Sequence, residues 1–205
     1  MNNYEIKKDK FFIRLLYFFI SLAGIAVGVA FIFLANIGTD PINVFVQGLS
    51  ISFGFTVGTW ITALWVVFVV SSMLLGVMPY IATVLDVILF GFFVDVAIKI
   101  IQLPKPENLT ISILYLIIGL FLYSMFFGVY LNTKLGAGPI MLFVFALSQK
   151  TKKSIGFTKT IIDVGILLVG FLLGGIVGLG TILLALSIGY AIEFFTKKLS
   201  LKGLA

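Results

Sequence analysis

The sequence predicts an all-α transmembrane protein with about six spans, and three observations predict this class. Hydrophobic residues make up 61% of the 205 residues, while charged residues make up 11%. That is too little charge to solvate the surface of a soluble domain. Apolar runs of membrane-spanning length recur along the chain, and most charges lie between or at the ends of these runs. A soluble enzyme, a secreted disulfide scaffold and a disordered chain are therefore excluded.

Two missing residue types remove much of the known catalytic chemistry. The chain contains no Cys and no His, so it has no thiol nucleophile, disulfide, imidazole base or histidine-ligated zinc. None of its glycine patterns forms a phosphate-binding loop. We therefore expect no enzyme activity, no cofactor and no metal site.

Six apolar runs approach or exceed the roughly 20 residues that a spanning helix needs. They cover residues 11–36, 56–76, 80–101, 109–132, 158–175 and 179–196. The first run is longer than the apolar region of a signal peptide, so we expect it to be retained. Two further apolar segments, 41–53 and 139–149, are about half as long, and each begins with Pro after a Gly-containing turn. Pro at the first position is typical of a helix start, so we predict two half-helices.

The two halves of the chain form an internal repeat with an offset of 98 residues. Residues 37–50 read IGTDPINVFVQGLS and residues 135–148 read LGAGPIMLFVFALS, with seven of fourteen positions identical. Each half is predicted to contain a helix, a Gly-Pro turn, a half-helix and a helical hairpin. Repeat 1 covers residues 11–103 and repeat 2 covers residues 109–196. Cytoplasmic tails are predicted at residues 1–10 and 197–205.

Two topologies are compatible with this repeat. If the half-helices are re-entrant, each half has three spans and the second repeat is inverted. Both termini are then cytoplasmic, together with 12 of the 14 Lys and Arg residues. If both half-helices cross, the chain has eight spans, a parallel repeat and 13 of 14 basic residues inside. A 12-residue helix covers about 18 Å of a ~30 Å core, so length favours six spans, whereas charge leaves both topologies open.

Several motifs resemble the YczE/YyaS/YitT family of bacterial membrane proteins. They are LANIGTDPINVFVQGLS, GFTVGTW and GFFVD in the first half, and LGAGPIMLFVFALS, GFTKTIID and LLGGIVGLGTILLALSIGYAIE in the second. The resemblance covers about residues 11–196 and implies a multi-pass protein of the bacterial plasma membrane. It implies little about function, because the family is mostly uncharacterised. In one departure, Gly138 stands where the first turn has Asp40, so any role of that carboxylate is not duplicated.

The two half-helix starts are the predicted substrate-binding or coupling site. A helix break in a membrane leaves unpaired backbone groups, each costing several kcal/mol in lipid. Half-helix N-termini near the midplane form the binding sites of many secondary transporters. The alternative is a structural kink that only allows close packing. The candidates are Gly38, Thr39, Asp40, Pro41, Asn43 and Gln47 in the first half, and Gly136, Gly138 and Pro139 in the second.

Four carboxylates fall within predicted spans, where a buried charge is costly. Asp95, Asp163 and Glu193 each have a Lys four residues away, namely Lys99, Lys159 and Lys197. This spacing predicts ion pairs near a membrane surface, with a secondary role of these carboxylates in the site as the alternative. Asp86 has no basic residue within one turn. We predict that it acts in proton coupling or cation contact, with a buried interhelical hydrogen bond as the alternative.

The favoured function is a small secondary transporter or permease. The alternative is a non-transporting membrane subunit that captures substrate for a larger complex or regulates it. The expected partners are membrane lipids, a small-molecule substrate, and a second copy or another membrane protein, but no nucleic acid, since the chain has no soluble basic face. Trp60, Tyr80 and Tyr130 are expected at the membrane interfaces. The glycine pair Gly24 and Gly28 is expected to pack helices closely.

Overall fold

A computed structural model describes residues 10–199, which form eight α-helices. Six of these helices are long and apolar enough to cross a membrane, as predicted. The predicted tail residues 1–9 and 200–205 lie outside the described residues, and the last helix continues through Lys198, two residues into the segment predicted as the C-terminal tail. The helices are α1 Phe11–Ala35, α2 Pro41–Phe53, α3 Val57–Leu74, α4 Ile81–Ile100, α5 Leu109–Asn132, α6 Pro139–Thr151, α7 Ile155–Leu172 and α8 Leu179–Lys198.

The half-helices α2 and α6 have 13 residues each and begin at the predicted prolines. Each follows a glycine in the left-handed region, Gly38 with φ 102° and Gly136 with φ 134°, a conformation that only glycine adopts readily. The Asp40 side chain caps α2 by accepting from the Asn43 backbone N–H at 3.4 Å. Gly138 occupies the same place before α6 and contributes no side-chain cap.

Helix α1 is the most buried span and packs against α5 and α4. Glycines permit the close approach of α1 and α5. A Cβ at Gly28 would lie 2.6 Å from the Tyr123 backbone nitrogen, and a Cβ at Gly119 would lie 2.8 Å from the Gly28 carbonyl. A Cβ at Gly24 would overlap the Phe126 ring of α5. The predicted packing role of Gly24 and Gly28 is therefore confirmed.

The packed helix pairs largely match when the two halves are exchanged. Contacts of α1 with α4 match those of α5 with α8, and contacts of α2 with α7 match those of α6 with α3. The hairpins differ. Helix α3 packs closely on α4, where Gly58 and Gly91 meet backbone to backbone. At Gly189, the repeat position of Gly91, an added Cβ would find no atom within 4 Å.

Three hydrogen bonds hold α2 beside the connection between α7 and α8. The Ser52 hydroxyl donates to the Leu173 carbonyl at 2.8 Å, and the Ile176 N–H donates to the Gln47 side-chain oxygen at 2.8 Å. Before α2, the Ile37 carbonyl accepts from the Gly180 N–H at 2.7 Å. Both ends of α2 therefore lie next to residues 173–180.

Candidate functional site

The start of α4 holds the turn that precedes the second half-helix. The Thr83 hydroxyl donates to the Ala137 carbonyl at 2.6 Å, and the Ala82 N–H donates to the Leu135 carbonyl at 3.3 Å. One turn further along α4, the Asp86 carboxylate reaches the same turn. A Cβ at Gly138 would lie 3.4 Å from Asp86 Oδ2. The carboxylate thus lies at the N-terminus of α6, where the helix dipole favours negative charge.

Asp86 is buried and only partly satisfied. It is 6% exposed, and its Oδ2 accepts from the Tyr130 hydroxyl of α5 at 2.8 Å. Its Oδ1 is buried and has no hydrogen-bond partner. Among residues 10–199, the ion pairs are Lys159–Asp163 and Lys197–Glu193. Asp86 therefore keeps an open acceptor inside the bundle without a basic partner.

The first half-helix starts with a local cluster of three predicted site residues. Asp40 Oδ2 accepts from the Thr39 hydroxyl at 3.3 Å and from the Asn43 amide at 2.5 Å. Thr39 is 2% and Asn43 is 6% exposed. Gly38 lies against the start of α8, where its missing Cβ leaves room for the Thr181 hydroxyl. Pro41 fixes the first helical position, as Pro139 does in α6.

An aromatic row on one face of α5 leads to Asp86, whose Oδ2 accepts from the Tyr130 hydroxyl. The row begins at Tyr123. Its ring stacks on Phe127 with centroids 5.6 Å apart, and Phe127 lies 5.5 Å from the Tyr130 ring. These three side chains form an aromatic row, defined as Tyr123, Phe127 and Tyr130, that leads to Asp86. The structure therefore places one carboxylate at each half-helix N-terminus, with the aromatic row beside Asp86.

Other predicted residues lie elsewhere. Gln47 does not join Asn43, because its side chain bonds the α7–α8 connection at Ile176. The predicted Asp95–Lys99 pair is wrong. Asp95 instead accepts from the Thr56 hydroxyl at 2.6 Å and the Gly58 N–H at 2.8 Å, because the free amides at the start of α3 are close enough to bind a carboxylate.

The two other predicted ion pairs are present. Lys159 pairs with Asp163, and Lys197 Nζ lies 2.5 Å from Glu193. Glu193 is 60% exposed in its side chain, so this pair is a surface feature of α8. Neither pair involves the half-helix starts.

The aromatic row was missed by the sequence analysis. Tyr130 is 3% exposed, so its predicted place at the membrane interface is wrong. Residues 123, 127 and 130 are spaced so that they share one helix face, a pattern that could have indicated a common environment. Asp86, which accepts the hydrogen bond from Tyr130, is 44 positions away from it in sequence, so spacing alone could not have identified this partner.

Among residues 10–199, six helices are long and apolar enough to cross a membrane, which defines the class of this molecule as a polytopic membrane protein. The buried polar groups at the half-helix starts add a candidate site. The chain belongs to DUF6198, a family of unknown function, which matches residues 12–197. The resemblance seen in the sequence is confirmed, since YczE and YyaS are among the relatives.

Three curated relatives span nearly the whole chain. An uncharacterized protein of Haemophilus influenzae is 33% identical over 189 residues, covering 89% of this chain and 82% of its own. The uncharacterized membrane protein YczE of Bacillus subtilis is 31% identical over 191 residues, covering 91% and 87%. The uncharacterized protein YyaS of the same organism is 24% identical over 172 residues, covering 83% and 86%. No solved structure matches the chain.

Proposed function

We propose that this protein is a small secondary transporter or permease of the bacterial plasma membrane, with a small-molecule site between the starts of α2 and α6. One observation carries the proposal: a carboxylate lies at the N-terminus of each half-helix, Asp40 at α2 and Asp86 at α6. A kink that serves packing alone needs only Gly and Pro. Burying a carboxylate with an unbonded oxygen costs free energy. Such a carboxylate inside a membrane protein therefore indicates a function. The proposal includes no enzyme activity and no cofactor.

The contacts of α2 support six spans and an inverted repeat. If α2 crossed the membrane, Ser52 and Leu173 would lie on opposite faces, separated by a ~30 Å core. They share a 2.8 Å hydrogen bond. The matched packing of the two halves supports the division into repeats at residues 11–103 and 109–196. In this topology both termini are cytoplasmic, and the half-helices enter from opposite faces.

Single cysteines test this topology on a background without native Cys. Thr39 is unsuitable because it is buried, whereas Phe53 and Met78 are 61% and 68% exposed. With a membrane-impermeant thiol reagent on intact cells, Phe53→Cys and Lys105→Cys should be labelled, while Met78→Cys and Lys152→Cys should not. Labelling of Met78→Cys with protection of Phe53→Cys would instead establish eight spans and a parallel repeat.

Transport is tested with the purified protein in liposomes. Liposomes loaded with a bacterial metabolite extract should exchange one class of compound with a labelled external pool, as detected by mass spectrometry. Asp86→Asn should reduce this flux at least tenfold. Glu193→Gln, which changes an exposed carboxylate of α8, should leave it unchanged. Equal flux in both variants would remove Asp86 from the mechanism.

The second candidate is a non-transporting membrane subunit, and the surface of α7 and α8 favours it. These are the two least buried of the six spans. Gly165 and Gly189 have no atom within 4 Å of an added Cβ, and exposed glycines let another helix approach closely. This candidate predicts that a second copy or another membrane protein co-purifies. It would be supported if the purified chain were inert while the complex with that partner restored activity.

A further inference from the structure

The open oxygen of Asp86 can be satisfied by a hydrogen-bond donor, by a proton or by a positively charged neighbour. The carboxylate is more than nine-tenths buried, and Oδ1 has no hydrogen-bond partner. Two ion pairs are formed among residues 10–199, and neither includes Asp86. A charge in this environment is not stable alone. The site therefore favours ligands that bring positive charge to the carboxylate.

The groups around Asp86 also favour a cation. Its Oδ2 lies beside the Tyr130 hydroxyl, and the Tyr130 ring has Phe18 and Phe127 at centroid distances of 5.3 and 5.5 Å. Aromatic rings carry negative potential on their faces and attract ammonium groups. Organic cations are stabilised by such rings together with a carboxylate, whereas a small metal ion needs several oxygen ligands. Within residues 10–199, no cluster of acidic side chains could supply those ligands.

A carboxylate at each half-helix N-terminus disfavours an anion there. A free N-terminus binds anions through its unpaired N–H groups and its dipole. At α2, the Asn43 N–H is already bonded to Asp40. At α6, the Asp86 carboxylate lies against Gly138. An anionic ligand would approach two carboxylates, so its binding would be opposed at both half-helix starts.

We propose that Asp86, Tyr130 and the rings beside them form a binding site for a small organic cation, a protonated amine or a quaternary ammonium, at the start of α6. This inference rests on the proposed location of the transport site and adds the charge class of its ligand. Because Gly138 has no side chain, a group the size of a methyl can lie next to Oδ2 of the carboxylate in ordinary contact. The ligand charge would be neutralised by Asp86, and its alkyl groups would contact the aromatic rings.

Thermal unfolding of the full-length protein in detergent tests the site with defined probes. Tetramethylammonium chloride and methylammonium chloride are compared with sodium chloride and sodium phosphate at constant ionic strength. We expect saturable stabilisation by one or both organic cations, and loss of that stabilisation in Asp86→Asn. Glu193→Gln, the surface control, should respond like the unmodified protein. Stabilisation only by sodium or only by phosphate would overturn the proposal, as would no stabilisation by any probe.

A second variant, Gly138→Ala, tests the same site independently in case Asp86→Asn does not fold. Gly138→Ala adds a methyl group 3.4 Å from Asp86 Oδ2 and 3.7 Å from the Tyr130 hydroxyl. These are ordinary contacts, and φ is −65°, so the fold should tolerate the change. The methyl group would occupy the ligand space, and half-saturation by the organic probe should rise at least fivefold. Unchanged probe binding in this variant would place the cation elsewhere.

The cation site and the transport function fail separately. Probe binding that depends on Asp86, without flux of any compound in liposomes, would keep the site and overturn the transport proposal. Flux of neutral or anionic compounds, without stabilisation by either organic cation, would keep transport and overturn the cation site.

Discussion

Gly28→Ala tests the close contact between α1 and α5, the first helices of the two repeats. A Cβ at this position would lie 2.6 Å from the Tyr123 nitrogen, 2.9 Å from the Gly119 oxygen and 2.9 Å from the Tyr123 Cα. All three are backbone atoms, so no side chain can move away. Reaching the ordinary limit of 3.4 Å requires a shift of 3.4 − 2.6 = 0.8 Å between the helices.

A gap of that size loses a quarter to a half of the dispersion energy of each contact that it opens. Overpacking of this kind costs about 1–3 kcal/mol, and the better helix propensity of Ala returns up to ~1 kcal/mol. We therefore expect Gly28→Ala to lower the free energy of unfolding by about 1–2 kcal/mol. The loss should appear as a lower midpoint in SDS-induced unfolding followed by circular dichroism.

Gly189→Ala is the matched control, because it is also a helical glycine but an added Cβ meets no atom within 4 Å. Only the propensity effect remains, so this variant should be as stable as the unmodified protein or up to ~1 kcal/mol more stable. If Gly28→Ala proved as stable as Gly189→Ala, α1 and α5 would not approach as closely as described, and the packing argument would be wrong.

Two further predictions concern hydrogen bonds that no sequence pattern indicated. Asp95→Ala removes the acceptor of the Thr56 hydroxyl and the Gly58 N–H, and should destabilise the protein by about 1–3 kcal/mol. Glu193→Ala, at the matching repeat position, should change the unfolding midpoint little. Equal unfolding midpoints for the two variants would contradict the capping role of Asp95. Gln47→Leu leaves the N–H of residue 176 without its acceptor and should cost about 1–3 kcal/mol in the same assay. Gln47→Met, which keeps the length of the side chain but has no acceptor oxygen, should cost about as much; an unchanged midpoint in Gln47→Met would show that packing rather than this bond matters.

The helices could be predicted because membrane insertion imposes length and apolarity on each span. The runs at 109–132 and 41–53 coincide with α5 and α2. The short helices were recognisable because Pro after Gly both ends the preceding helix and permits the next one to start. The apolar segment 139–149 ends two residues before Thr151, because the charged residue Lys150 ends the apolar run but not the helix.

The tertiary partners of polar side chains could not be predicted in the same way. The spacing of Asp95 and Lys99 suggested an ion pair, but three-dimensional packing brings the free amides of α3 to the same carboxylate. Tyr130 stands near the end of a long apolar run, which is typical of an interfacial tyrosine. It is buried because α1 and α4 cover that end of α5, where Tyr130 meets Phe18 and Asp86. Such contacts join residues that are far apart in sequence, so no local sequence pattern indicates them.

The substitution of Asp40 by Gly138 in the second turn suggested that the first carboxylate has no counterpart. The capping role of Asp40 is indeed absent from α6, because Gly138 contributes no side-chain cap, but the structure brings a different carboxylate to the same place. Across the repeat, Asp40 corresponds to Gly138, and Asp86 corresponds to Leu184. Gly138 has no side chain at the start of α6, and the Asp86 carboxylate of α4 lies beside it. Each half-helix therefore has one carboxylate at its N-terminus, supplied by the turn in one half and by the neighbouring helix in the other. Capping of α2 accounts for Asp40, whereas packing alone does not require Asp86 with its unbonded Oδ1, which is why Asp86 favours a ligand site over a kink.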